Sequence, residues 1–306
     1  MVRTREIQVS EISSVLGLPY TGTDERINGL IKLVRSATQA NSLITFCGNA
    51  SVLPEILANR RIKALITSAA IHRANEAALK AMPVIISESP MVSFYLLHQY
   101  LCEKTPFYAE YDFPRQTGAN CSIHPSCAIE DGVRIGNNVR IGPFTYIRKG
   151  TSIGDDCTID ANTVIGADGF EVKAINGIPR TVPHCGGVRL ASNVEIGAGC
   201  VIDKAMFEGA TTIGENTKVD NLVQIAHNCS IGRDVLICAQ GQISGNVTIG
   251  DRCYLAPSAS VRDQVSIVRD AFIGIGAVVT KHISEGGTYV GIPAKRIPAR
   301  CPGGRL

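Results

Sequence analysis

The sequence predicts a parallel β-helix built from six-residue repeats behind a small α/β domain, and three features carry that prediction. First, an aliphatic residue recurs at every sixth position from Ile123 through Ile129, Ile135, Ile141, Ile147, Ile153, Ile159 and Ile165. A short run follows at Leu190, Ile196 and Ile202, and the period resumes in a shifted phase from Ile213 to Val279. So long a run at one phase does not arise by chance, and self-similarity at a fixed period marks a solenoid. Second, the residue two before each anchor is small or β-branched, as at Val133, Val139, Thr145, Thr163, Thr217, Val223 and Ala259. Cysteine fills that slot at Cys121, Cys127, Cys157, Cys200, Cys229 and Cys253. Alternate residues of a strand share a face, so anchor and slot both point inward. Third, glycine often follows the anchor, as at Gly136, Gly142, Gly154, Gly232 and Gly250, where a tight corner tolerates little bulk. Three face-and-corner units close one triangular coil, and about seven or eight coils at roughly 4.8 Å each rise about 35 Å.

The pattern divides the chain into an α/β domain over 1–105, a linker over 106–120, a β-helix over 121–283 and a C-terminal extension over 284–306. In the first part an amphipathic stretch at Ile7–Leu18 precedes short apolar runs at Leu43–Phe46 and Ala64–Ile66. Helical patterns at Ala74–Ala81 and Val92–Leu101 flank a strand at Val84–Ile86, and such alternation suits a small α/β domain. Two interruptions break the solenoid. Residues 166–187 leave the repeat for more than three hexads, and residues 203–210 shift its register. A loop that long in a compact solenoid is functional or disordered, and Phe170 and Ile175 favour ordering against a neighbouring surface. A tolerated insertion is the other reading.

Composition excludes several classes. A net charge of +3 with 19% charged residues gives no reason to propose nucleic acid as a partner. The start, Met1-Val-Arg-Thr-Arg-Glu, has no apolar run behind it, so no signal peptide is expected. No apolar stretch reaches spanning length, so the expectation is a cytoplasmic protein without a membrane span. The eleven cysteines include no CxxC pair, and their place in the inward slot points to free thiols in a reducing compartment.

Few positions of a solenoid are left for chemistry. His227 lies two residues after anchor Ile225, which puts its ring outside the prism. A solvated surface histidine is one reading. Gly245, 18 residues on, stacks one coil above it, and a histidine base beside a bare backbone amide suits proton removal and oxyanion binding together. A metal site within one chain is not expected, because His124 and His282 stand several coils from His227 while zinc needs nitrogens at about 2 Å. Ligands from neighbouring chains, or from His184 in the long loop, remain open. Lys295 and Arg296 can meet phosphates of an acyl carrier or act as a solvated chain end.

At Asp220-Asn-Leu-Val-Gln-Ile-Ala-His-Asn, with Val194-Glu-Ile-Gly-Ala and Ile202-Asp-Lys upstream, the chain resembles the UDP-3-O-acylglucosamine N-acyltransferases of lipid A synthesis. The likeness extends through Ile165-Gly-Ala-Asp-Gly-Phe and Pro183-His-Cys-Gly-Gly-Val to Ile44-Thr-Phe-Cys-Gly-Asn. It implies a left-handed prism, a homotrimer with active sites in the grooves between prisms, and a uridine-binding N-terminal domain. Carried over residue by residue, it makes His227 the general base, Asp220 and Asn221 its polar partners, and Gly245 the oxyanion amide. Phe46 and Asn49 fall on contacts to uracil, Phe170 on a wall of the acyl and sugar site, and His184 on a substrate-binding position. Gln264 stands where the family has a second histidine, and Val52 where it has a second aromatic against the base. The C-terminal helices that help bind acyl carrier protein in the family have no counterpart before Leu306.

The reading is an N-acyltransferase acting on the amino group of a nucleotide-linked sugar. It uses no cofactor beyond its co-substrate, a thioester of acyl carrier protein or CoA. Two alternatives stand beside it: a short-acyl-CoA-dependent N-acetyltransferase of O-antigen or capsule sugars, and a non-catalytic trimeric scaffold that binds a nucleotide sugar.

Overall fold

The computed structural model describes residues 5–32, 40–108, 111–175 and 177–297. Residues 298–306 of the expected C-terminal extension, and Met1-Val-Arg-Thr at the start, lie outside the described residues. The chain forms two compact units. One comprises the residues up to Glu110 with Phe170–Gly186 and Met206–Gly209, and the other comprises Tyr111–Gly169, Gly187–Ala205 and the chain from Ala210 on.

The second unit is a parallel β-helix with three sheets of eight, eight and ten strands. Most strands are only two residues long, and each anchor pairs with the next in its column: Ile129 with Ile147, Ile147 with Ile165, Ile135 with Ile153. Across the first interruption Ile153 pairs with Leu190, a step of 37 residues in place of 18, and Leu190 then pairs with Ile213, a step of 23. The anchors stay in column through both steps, so the phase shift leaves the interior continuous. One apolar column runs from Val133 to Ile283.

The small slot has a second use. Where it holds cysteine, and at Thr145, Thr163 and Thr217, the side chain donates to a backbone carbonyl of the next coil: Thr145 Oγ1 to Asp160 O at 2.9 Å, Cys229 Sγ to Ser244 O at 3.1 Å, Cys253 Sγ to Val268 O at 3.1 Å. Burial, against backbone bonds from Val247 and Asn246, pushes the Cys229 thiol up to about 12, so it stays a thiol. The three corners differ in what they carry. The corner after Ile135, Ile153 and Ile213 stacks Asn138 on Asp156 and Asn216 on Asp234, with amide-to-carboxylate bonds of 2.9 and 3.0 Å. All four residues are left-handed, a conformation Asn and Asp tolerate through local side-chain bonding. The corner after Ile141 and Val219 instead places Phe144 and Leu222 in the left-handed region, at φ 57° and 60°, both exposed. The corner after Ile165, Ile202, Ile225 and Ile243 is the one from which both interruptions depart.

The solenoid starts and ends beyond the expected limits of 121 and 283. Gln116–Thr117, inside the expected linker, already pairs with Arg134–Ile135, and Gly287–Val290, inside the expected extension, pairs in parallel with Ala271–Ile273. Thr117 and Tyr289 occupy the anchor positions there, so an aliphatic period cannot register them. The inserted loop is likewise no irregular excursion of the prism. Its centre is an antiparallel hairpin, Val172–Ile175 with Ile178–Thr181, and Phe170–Gly186 belongs to the N-terminal unit.

That unit holds a five-stranded sheet in the order Tyr20–Thr21, Val84–Ile86, Ile62–Thr67, Leu43–Cys47, Gly29–Leu30, with only the first strand antiparallel. The helix Pro90–Lys104 packs on the sheet, led by proline at a position where a missing N–H costs nothing. The helical pattern expected at 74–81 is broken at Asn75 into Ala69–Ala74 and Glu76–Leu79, where the Asn75 amide bonds back to Ile71 O. Val182, Met206 and Phe207 join this core. His98 is fully buried, and desolvation lowers it to about 4, so it is neutral. Its Nε2–H donates to Pro183 O at 2.8 Å, which leaves Nδ1 to accept from the Tyr108 hydroxyl at 2.6 Å.

Thiol labelling tests the inward register. Cys157, Cys200, Cys229 and Cys253 are buried, whereas Cys121 and Cys127 sit half-buried in the first coils, where little or no prism lies beneath them. Native-state maleimide labelling with peptide mapping should mark Cys121 and Cys127 and spare the other four. Rapid labelling of those four without unfolding would contradict the register.

Candidate functional site

His227 sits on the third corner and is not the solvated surface group its position suggested. Its ring is 5% exposed, because it lies flat over the next coil. A Cβ on Gly245 would stand 2.7 Å from Cε1 and 2.8 Å from Nε2 of that ring, so only glycine fits there. Asn228, left-handed at φ 60°, places its Oδ1 3.1 Å from His227 Nδ1. With the amide oxygen as acceptor, Nδ1 carries the proton and Nε2 is the basic nitrogen.

The N–H of Gly245 points away from the backbone ladder of the prism. At some residues of the other two corners a side-chain oxygen of the following coil takes the N–H: Asp155 Oδ1 that of Asn137 at 2.7 Å, Asn221 Oδ1 that of Ala198 at 2.7 Å, Asp251 Oδ1 that of Arg233 at 3.0 Å. Among the described residues no acceptor takes the N–H of Gly245. Asp263 holds the place of the missing acceptor, but its carboxylate receives the Gln264 amide at 2.7 Å. Gln264 stands on the same corner, two coils beyond His227, with its backbone N–H on Gly245 O at 3.0 Å. His227, Gly245 and Gln264 therefore lie on one corner, spread over two coil steps.

It does not bring Asp220 and Asn221 to them within one chain. Both lie on the preceding corner, where they cap backbone. Asp220 accepts from the N–H groups of Asn221 and Ala239 at 2.7 and 3.1 Å, and Asn221 from that of Ala198. Asp220 is therefore not the partner that orients the His227 ring in its own chain.

Four residues that the residue-by-residue reading gave no role lie on the coils before His227. Asp203 and Lys204 occupy its corner one coil earlier, 5% and 8% exposed. Asp168 receives Arg148 Nη1 at 2.7 Å and Lys204 Nζ at 3.0 Å. Asp203 receives the Gln224 amide at 3.1 Å. Burial pushes Asp203 up to about 7, against the Gln224 bond and with help from the charge of Asp168. Partial burial acts to raise Asp168 as well, but its bonds to Arg148 and Lys204 hold it below the usual range. The sequence signal was Ile202-Asp-Lys, a charged pair placed just where the repeat breaks.

In the N-terminal unit Phe46 stands near the C-terminal end of a parallel strand, where open α/β sheets bind ligands. It is half-buried, with its ring 5.1 Å from Phe94 and 6.5 Å from Tyr95. Asn49 follows, its Oδ1 accepting Ser51 N–H at 3.0 Å as the cap of a short turn that also exposes Val52. Phe170 is 90% exposed. His184 is buried, with Nδ1 on Val182 O at 3.1 Å. Arg296 is also committed, to Glu285 at 2.9 Å and Gly286 O at 3.3 Å, in a strand that folds back on Gly287–Val290. Lys295 beside it is exposed.

A family model described as bacterial transferase hexapeptide (six repeats) matches residues 116–149, 132–167 and 210–245. A curated protein of Bordetella pertussis named UDP-3-O-acylglucosamine N-acyltransferase is 27% identical over 90% of this chain and 84% of its own. One of Arabidopsis thaliana, named probable UDP-3-O-acylglucosamine N-acyltransferase 2, mitochondrial, is 43% identical over 144 residues, 47% of each chain. The chain thus spans about half the length of the first curated relatives it matches, 47% and 42%. Among solved structures, the UDP-N-acetylglucosamine acyltransferases of Arabidopsis and Bacteroides fragilis align with TM-scores of 0.50 and 0.51 at 23% and 20% identity. They cover 60% and 62% of this chain and 69% and 71% of their own. These likenesses establish the fold class, a left-handed parallel β-helix with a small N-terminal domain.

Asp203 provides a test by pH. Its proton is kept in the folded state up to about 7 but lost near 3.8 when unfolded, so stability falls as pH rises through that window. Asp203→Asn still accepts from Gln224 and removes the penalty. Denaturant unfolding should show little gain at pH 4 and a gain on the order of 1–3 kcal/mol by pH 8. A difference independent of pH would contradict the assignment.

Proposed function

We propose that the chain belongs with the UDP-3-O-acylglucosamine N-acyltransferases, which it resembles over its hexapeptide repeats, and that it acylates the amino group of a UDP-linked 3-O-acylglucosamine from a thioester donor. The amine nitrogen attacks the thioester carbonyl, the C–S bond breaks as the amide forms, and the amine proton passes through His227 Nε2 to the leaving sulfur. The observation that carries this reading is the unclaimed Gly245 N–H against the His227 ring. An amide donor aimed where negative charge develops needs no reorganisation during reaction. The donor is a thioester of acyl carrier protein or of CoA. Lys295 is the cation left to meet its phosphate, since Arg296 is bound to Glu285. Such substrates and ten free thiols among the described residues suit the cytoplasm.

The reading includes a homotrimer. A large apolar residue in the left-handed region is an outlier, and Phe144 and Leu222 occupy it while 69% and 58% exposed, with Ile275 nearby on that corner at 76%. Burial against a second copy would offset that cost. The same corner carries Asp220 and Asn221, so a groove between copies is the arrangement in which they can face His227 of a neighbour.

His227→Ala should lower kcat about 10²–10⁴-fold with the assembly intact, measured with UDP-3-O-acylglucosamine and a hydroxyacyl thioester. A folded variant with near-full activity would reject the mechanism and favour a binding scaffold. Leu222→Asp should dissociate the trimer in sedimentation and lose activity together with it, and a fully active monomer would contradict the shared groove.

A further inference from the structure

The hairpin of the N-terminal unit carries more positive charge than its fold requires. Glu171, its side chain 13% exposed, receives Lys32 Nζ at 2.8 Å, Lys173 Nζ at 2.7 Å and the Tyr95 hydroxyl at 3.2 Å. Burial opposes ionisation of that carboxyl, but the bonds from Lys173 and Lys32 bring it down to about 2. One carboxylate therefore gathers two ammonium groups, each side chain about one-fifth exposed. Directly across the hairpin, Lys173 faces Arg180, which is exposed. Like charges opposed across a strand pair are destabilising, so Arg180 is not explained by the stability of the hairpin. Glu208 of this unit accepts the Leu30 N–H at 3.3 Å. Among the described residues of this cluster, Lys32, Lys173 and Arg180 thus stand with the single carboxylate of Glu171.

The cluster adjoins the aromatic platform. Lys173 Nζ is 5.4 Å from the centre of the Tyr95 ring, and that ring is 6.5 Å from Phe46. A flat base on Phe46 and a polyanion on the lysines would be one ring apart, about the reach of a ribose. We propose that Lys32, Lys173 and Arg180 form the seat of a diphosphate group, the one that joins nucleoside to sugar in the acceptor substrate. This rests on the nucleotide-sugar reading above. Charge-assisted bonds to phosphate oxygens supply the affinity, and Glu171 and Tyr95 hold the lysines where the anion meets them.

Calorimetric titration of the full chain with uridine, UDP and inorganic pyrophosphate tests it. Lys32→Ala and Lys173→Ala should each weaken UDP and pyrophosphate about tenfold or more and leave uridine unchanged. Arg180→Gln, on an exposed position that cannot unfold the unit, should show the same selectivity with a smaller loss. UDP and pyrophosphate binding as tight as wild type in the three variants would overturn the seat. Phe46→Ala separates the two readings: loss of uridine and UDP affinity with pyrophosphate unchanged supports both. Unchanged uridine and UDP affinity in Phe46→Ala would reject the nucleoside platform, while lysine-dependent pyrophosphate binding would still support the anion seat.

Discussion

One coil rests on the next at a single strand spacing, about 4.8 Å, and almost every feature of the prism follows from that approach. Where backbones cross at a corner there is no room for a side chain: a Cβ on Gly136 would stand 2.4 Å from Asp155 Oδ1 and 2.7 Å from the Gly154 carbonyl carbon. Inside, the same spacing stacks aliphatic anchors into a continuous column, and it lets the thiols and hydroxyls of the small slot reach carbonyls of the next coil. At the corners it converts Asn and Asp into a ladder. The His227 ring on Gly245 is this contact with an imidazole in place of a backbone.

The corners then diverge in function because the inward faces cannot. One is a polar ladder, one exposes apolar residues in a strained conformation, and one releases both insertions and carries His227. On that last corner the electrostatics are graded. Asp168 is held ionised between Arg148 and Lys204, whereas Asp203 is buried without a cation and keeps its proton to about neutrality. The imidazole of His227 stands one coil on from Asp203, and Gly245 one coil beyond that.

What was legible in the sequence was what repeats. The anchors Ile129 to Val279, the inward cysteines and the stacking of Gly245 on His227 all follow from a period of six and a coil of 18, and the structure places them so. Where the repeat carries an atypical residue, as at Thr117 and Tyr289, the limits of the solenoid were missed. The burial of His227 was missed because the outward direction of a side chain does not tell what it then lies upon. Asp220 was linked to His227 by the family resemblance, and within one chain a hexad carries the two to different corners. Lys32 and Glu171 meet across 139 positions, which no local pattern reveals.

The central claim is that the imidazole of His227 must lie on the bare backbone of Gly245 for the reaction to proceed. Gly245→Ala tests it most directly, since the added methyl would stand 2.7 Å from Cε1 and must displace the ring while leaving the amide in place. Steady-state kinetics of that variant should show kcat reduced on the order of 10²-fold, as for a reacting group misplaced by about 1 Å, with KM for the sugar nucleotide little changed. A correctly folded Gly245→Ala protein with the kcat of the wild type would contradict the account.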